Sequence, residues 1–265
     1  MTRMKSHVAI VTGGGDGIGR GIARRFGAEG ARLVIADVDA AAGQAVADDI
    51  SEDFGTEALN IPTDVGDKGQ VIEMVKRALD EWGRIDTLVN NAWPGVAVKR
   101  VETKSDEELA RSLTVGFYGA FWSMQAVFPT MRARGRGRII NMCSINGINA
   151  HAGTADYNCA KEALRTLTRT TAREWARYGI TANIICPSAR TAAFLEMMRT
   201  HPELAEPAEA ANPMGRMGDP ETDIAPVAAF LASDDAGYVT GNTMFVDGGF
   251  HINGLSWASP DLPDS

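Results

Sequence analysis

Tyr157 and Lys161 stand four residues apart in Tyr-Asn-Cys-Ala-Lys, a spacing that sets a phenol and an ammonium on one face of a helix. A tyrosine loses its proton near pH ~10 and is a poor base at neutrality. A neighbouring positive charge favours the phenolate and brings general acid/base work within reach of physiological pH. Tyrosine and lysine at this spacing are common on ordinary helices, so the pair alone carries little weight. Ser144 adds to it: it closes the apolar run Arg138-Ile139-Ile140-Asn141-Met142-Cys143, where a hydroxyl can hold a carbonyl or alkoxide oxygen. The plainer reading of Ser144 is a strand-end turn residue.

Near the start of the chain, Val8-Ala9-Ile10-Val11-Thr12 leads through Gly13-Gly14-Gly15-Asp16-Gly17-Ile18-Gly19 into an amphipathic stretch carrying Ile22 and Phe26. A strand that turns through glycines into a helix presents bare amides and a positive helix end to a pyrophosphate. In this spacing Gly13 serves the turn, Gly17 the close approach and Gly19 helix–strand packing, with Asp16 and Ile18 in the loop. A tight strand–helix turn without a ligand would need glycine as well. A dinucleotide site and a proton-moving pair in one chain point to hydride transfer.

The next apolar run, Arg32-Leu33-Val34-Ile35-Ala36, ends at Asp37, whose carboxylate can accept both hydroxyls of an adenosine ribose. It would also repel a 2′-phosphate: like charges about 4 Å apart near a surface interact by about 4 kcal/mol, and even half of that exceeds a tenfold preference. Asp39 follows, no Arg or Lys stands just after the run, and Asp16 adds another acid, so NAD is expected rather than NADP. The alternative for Asp37 is a helix N-cap. Asp64-Val65 can meet the amine and face of adenine, or Asp64 can cap a helix. Asn90-Asn91-Ala92 can tie loops together and contact the adenosine half.

These groups need a scaffold. Short β-branched runs alternate with longer helical patterns, as a parallel sheet covered on both faces requires. Strands are expected near 7–12, 32–37, 57–61, 85–90, 137–143, 180–186 and 243–247, with helices near 17–30, 40–54, 67–83, 105–134, 155–178 and 221–233. The fold class is α/β, a Rossmann-like doubly wound sheet. Residues 1–249 read as one NAD-binding catalytic domain, followed by a tail over 250–265. Residues 188–219 read as irregular, with Pro202, Pro207 and Pro213 against any long helix, in a place where substrate lids sit.

The 265 residues carry a net charge of −8, which argues against nucleic acid or anionic membrane as main partner. No apolar run approaches the ~20 residues of a membrane span, and no signal-peptide core precedes the first strand, so the cytoplasm is expected. Cys143, Cys159 and Cys186 form no Cys-x-x-Cys pair, and His7, His151, His201 and His251 lack metal spacing. No metal is expected.

Assembled in order, these motifs resemble the short-chain dehydrogenase/reductase family over about residues 5–249. The resemblance rests on the glycine loop, Asp37, Asp64-Val65, Asn90-Asn91-Ala92, Ser144, Tyr157/Lys161, Cys186-Pro187, Thr240-Gly241 and Val246-Asp247-Gly248-Gly249. It implies a seven-stranded sheet, usually in a homotetramer packed through the 105–134 and 155–178 helices. It also implies an NAD-dependent exchange between a secondary alcohol and a ketone. Tyr157 would exchange the proton, Ser144 orient the oxygen, and Lys161 tune Tyr157 and hold the nicotinamide ribose. Pro187, Arg190 and Thr191 would complete the cofactor site.

Four departures from the family pattern stand out. Trp93 follows Asn90-Asn91-Ala92 where the family has glycine, and forms a wall of the substrate pocket or points into packing. Gly116 stands where the family usually has an asparagine that helps hold a water in a proton relay; a second water could fill the gap. Ser188 replaces the glycine after Pro187, and Thr191 falls one residue early, which leaves its role towards the carboxamide open. Trp93, Asn146, His151, Phe194, Met197 and Met198 are the candidate pocket residues, suited to an apolar, cyclic or aromatic substrate. Phe194 and the methionines can equally pack on the sheet, and His151 can be a plain loop residue. The tail, with Phe250, His251, Leu255 and Trp257, either docks on a neighbouring subunit or is an unstructured end. Two other readings remain: a nucleotide-binding module with weak or no turnover because of Gly116, and a lyase or epimerase on the same fold.

Overall fold

The structure, a computed structural model, describes residues 3–95, 98–200 and 210–253. Seven strands form one sheet: β1 (Val8–Thr12), β2 (Arg32–Ala36), β3 (Ala58–Asn60), β4 (Thr87–Asn90), β5 (Gly137–Met142), β6 (Ile180–Pro187) and β7 (Thr243–Val246). Their order is β3-β2-β1-β4-β5-β6-β7, and every pairing is parallel. The helices are α1 (Gly17–Ala28), α2 (Ala40–Phe54), α3 (Lys68–Trp82), α4 (Asp106–Leu113), α5 (Gly119–Arg134), α6 (Ile145–Ile148), α7 (Ala155–Trp175), α8 (Ala192–Thr200) and α9 (Ala225–Ala232).

Alternation along each strand distributes the side chains between two cores. Ala9, Val11, Leu33 and Ile35 pack with α1, α2 and α9, whereas Val8, Ile10 and Val34 pack with α3, α5 and α7. Burial on both faces is why these strands read as unbroken apolar runs. The chain leaves β1 towards β2 and β3 and returns to the other side at β4. The carboxyl ends of β1 and β4 therefore flank the switch point, where such sheets open a cleft.

Three elements differ from the sequence expectation. The helix expected over 105–134 is divided by a wide π-type turn at Thr114–Tyr118, between α4 and α5; such bulges concentrate at functional sites. The segment read as irregular over 188–219 contains α8, begun by the Thr191 hydroxyl, which accepts from the Phe194 amide at 3.3 Å. Short α6, capped by Ser144, has too few residues for a periodic signal. Pro202, Pro207, Leu255 and Trp257 lie outside the described residues, as does the Met197 side chain. No helix among the described residues is long and apolar enough to cross a membrane.

Candidate active site

The cofactor end is built from backbone. Gly13 and Gly17 adopt left-handed φ values of 62° and 52°, conformations that glycine takes without a Cβ penalty. The Gly13 amide donates to the Ala36 carbonyl at 2.7 Å, which lashes the loop to β2. A Cβ on Gly19 would run into the Gly13 carbonyl, so the helix seats directly on the turn. At Gly17 a Cβ would meet nothing nearer than Thr191 at 3.9 Å, so that side of the loop faces open space with Thr191 opposite.

Asn91 secures the loop from β4: its side-chain amide donates to the Thr12 and Gly13 carbonyls at 3.1 and 3.0 Å. Thr12 returns the tie by accepting from the Asn91 and Ala92 amides. The Asp37 carboxylate accepts from the Gly15 amide at 2.9 Å and the Asp39 amide at 3.0 Å. It thus holds the loop from below and is not a helix cap; Asp39 caps α2, because its shorter reach to the Ala41 and Ala42 amides satisfies that end. Asp64 is not a cap either: Asp67 fills that role on α3, while Asp64 closes a turn on the Gly66 amide. Val65 is buried against Gly119 at the start of α5.

Helix α1 differs from its neighbours. Asp39, Asp67 and Ser105 cap α2, α3 and α4 with side-chain bonds, but Asp16 makes no such bond to α1 and is exposed. The first-turn amides of α1 thus keep their positive end for an anion. Arg20 and Arg24 on the same helix pair with Asp49, Asp53 and Glu221.

The reacting end is built from side chains of several elements. Ser144, buried at the end of β5, accepts from the Asn146 amide at 3.1 Å, and its hydroxyl favours the ionised form of the Tyr157 phenol. Burial pushes the phenol up to about 12, with the Ser144 hydroxyl acting in the opposite direction. The lowering expected from Lys161 is not what this geometry gives. The Lys161 ammonium is buried, donates to the Met142 carbonyl at 2.8 Å and lies 5.6 Å from the centre of the Tyr157 ring, over its face. Desolvation pushes Lys161 itself down.

Trp93 joins this group. Its ring meets Tyr157 edge-to-face at 4.6 Å and 84°, and the Lys161 ammonium lies 5.0 Å from the centre of an indole ring. A cavity of about 10 Å³ is lined by Thr12, Asn90, Gly116 and Lys161 among others, about the room of one water. Asn90 Oδ1 is buried without a hydrogen-bond partner, although its amide donates to Asn141 at 2.7 Å.

The remaining expected residues divide. Asn146 and Phe194 are half-buried, on α6 and α8. His151 is exposed, and its carbonyl accepts from Thr154 and Asn158, which supports the loop reading. Pro187 ends β6, Ser188 Oγ contacts Met217 Sδ, and the Arg190 amide donates to the Gly218 carbonyl. Two features escaped sequence reasoning. Lys104 and Asp156 form an almost fully enclosed ion pair at 2.7 Å, joined by Ser112, which anchors the residue before Tyr157. The other is the fit of Trp93 over Gly116. Adjacency of Asp156 to Tyr157 was a hint of the first; no spacing rule links the second. Among the described residues, no group of three His, Cys, Asp or Glu side chains is placed to hold a metal ion.

Residues 13–251 match the family described as enoyl-(acyl carrier protein) reductase. A 12α-hydroxysteroid dehydrogenase from Clostridium sp. is 34% identical over 91% of this chain and 95% of its own length. A levodione reductase from Leifsonia aquatica is 36% identical over 94% and 95%. Among solved structures, a levodione reductase superposes with a TM-score of 0.90 at 34% identity, covering 94% of this chain and 99% of the other. A 3-ketoacyl-(acyl-carrier-protein) reductase from Brucella melitensis, complexed with NADH, does so with 0.86 at 31%, over 94% and 99%.

Proposed function

This chain belongs to the short-chain dehydrogenase/reductase family of oxidoreductases, and we propose that it interconverts a secondary alcohol and a ketone with NAD. The observation that carries the reading is the Lys161 ammonium 5.6 Å from the centre of the Tyr157 ring, with Ser144 at the end of β5 acting on the same phenol.

The cofactor end fits a dinucleotide: α1 is uncapped, Gly17 is open on one side and Asp37 stands below the loop. Gly13, Asp16, Gly17, Ile18 and Gly19 would hold the pyrophosphate. Asp37 would take the ribose, Asp64, Val65 and Asn91 the adenosine half, and Pro187, Arg190 and Thr191 the nicotinamide side. Bound there, NAD supplies the hydride acceptor or donor. Asp37 favours NAD over NADP by charge, and Arg20 and Arg24 are already paired with acids.

Ser144 donates to the substrate oxygen and fixes it beside the phenol. In oxidation Tyr157 takes the hydroxyl proton, and in reduction it returns one to the carbonyl oxygen. A phenol pushed up to about 12 is a ready proton donor as it stands; to accept a proton it needs added positive charge nearby, which Lys161 and a cationic nicotinamide would provide. Trp93, Asn146 and Phe194 are proposed around an apolar, cyclic substrate, with His151 kept as a loop residue; the names of the hydroxysteroid and levodione enzymes support that substrate class. Assembly as a cytoplasmic homotetramer through α4, α5 and α7 belongs to the same proposal, supported by the row of Tyr118 stacked on Trp122 at 5.7 Å with Tyr118 exposed.

A panel of cyclic and aromatic alcohols, followed by NADH absorbance, tests this. Oxidation of at least one of them is expected. Tight NAD binding with no oxidation would favour a module without turnover, and product without net NADH would favour a lyase or epimerase.

A further inference from the structure

Gly116 lies in the wide turn between α4 and α5, and the space beside it is taken. A Cβ built there would strike Cζ3 of Trp93 and come within 3.0 Å of Cε3, with the Ala160 Cβ 3.3 Å away. The six-membered edge of the indole thus occupies the volume that any side chain at position 116 would need. The indole nitrogen, by contrast, is enclosed and has no hydrogen-bond partner among the described residues. The ring is therefore oriented by what its carbon framework packs against: the slot over Gly116, the Tyr157 edge and the Lys161 ammonium. Tolerating an orphaned buried N–H is unusual enough to demand a reason. Tryptophan presents the strongest aromatic face to a cation, and its hold rises where water is excluded.

We propose that Trp93 is a positioning residue that holds the Lys161 ammonium and the Tyr157 ring in register, and that Gly116 provides the slot its indole fills. The two positions then work as one unit. An asparagine restored at position 116 would not repair a relay; it would evict the indole. This rests on the reading of Tyr157 and Lys161 as the reacting end of the site, so the tests use readouts that need no turnover.

The first is a double-mutant cycle on thermal stability with Gly116→Asn, Trp93→Gly and the double variant. Gly116→Asn is expected to lower Tm by about 5 °C in the presence of Trp93 and by less than half as much in the Trp93→Gly background. Equal drops in both backgrounds would overturn the slot. The second is the NMR titration of isotope-labelled lysine, with Lys161 assigned from its loss in Lys161→Met. The groups facing that ammonium are the Tyr157 phenol and the Cys143 and Cys186 thiols, all kept neutral by burial, and the Glu162–Arg165 pair is internally balanced. Removing the aromatic face in Trp93→Leu is expected to lower the Lys161 titration by about half a pH unit or more, with Trp93→Phe keeping most of it. An unmoved titration in Trp93→Leu would overturn the positioning role. Both expected results without oxidation of any alcohol would leave this pair standing and sink the dehydrogenase reading instead.

Discussion

The two ends of the cleft are assembled by different means. The dinucleotide end is made by a short stretch of backbone: the left-handed glycines, an uncapped helix and carbonyls tied by Asn91. The reacting end is made by side chains that follow β4 and β5 and by those of α7, with Gly116 in the turn before α5 leaving the slot they need, all brought together only by the fold. A site made of backbone tolerates change in its neighbours. One made of interlocked side chains couples every position to the next.

That contrast can be broken most directly at Tyr157. Tyr157→Phe is expected to cost about a thousandfold or more in turnover while NAD affinity, read by fluorescence titration, stays within a few-fold. Comparable losses at both ends would mean that they are not separate. Ser144→Ala should follow, with a loss of about a hundredfold in kcat. The same variant should push the Tyr157 phenol further up, because the hydroxyl that favours its ionised form is gone; a kcat unchanged in Ser144→Ala would remove Ser144 from the chemistry.

The phenol also makes a stability prediction. Its value rises from 10.0 to about 12 on folding, so the folded state holds the proton where the unfolded chain has released it. The contribution is fully present below pH 10 and is lost as the pH climbs through 12, by about 3 kcal/mol in total. Urea unfolding of the wild type against Tyr157→Phe across that range should show this as an additional loss in the wild type, over whatever the other tyrosines and the lysines contribute to both. The smallest effect belongs to the backbone end: Asp37→Ala should narrow the NAD/NADP preference by about tenfold. An unchanged ratio would assign the ribose to another group.

The cofactor end was legible in the sequence because its causes are local. Glycine spacing, the acid closing β2 and the unbroken apolar runs each follow from what neighbouring residues must do. Seven strands and their helices could be placed for the same reason, from burial on both faces. Legibility failed where a helix changed its pitch at Thr114–Tyr118, since the backbone on both sides of the wide turn stays helical. It failed again at α8, where Thr191 starts a short helix that ends before Pro202, so the prolines rule out only a longer one. Asp37 does follow the end of β2, whereas β3 stops at Asn60 and leaves Asp64 in the loop beyond it; capping went to Asp39 and Asp67, which stand in reach of the first-turn amides.

Read alone, then, the chain of amino acids settled the doubly wound architecture, the glycine turn and the identity of a serine, a phenol and an ammonium able to do chemistry. Tertiary structure decided how they meet: an indole laid over Gly116, the ammonium on the Met142 carbonyl, and a phenol driven up by burial. The reason is physical. Backbone conformation and hydrophobic period are set within a few residues, whereas the volume beside Gly116 exists only when two segments far apart in sequence are packed together.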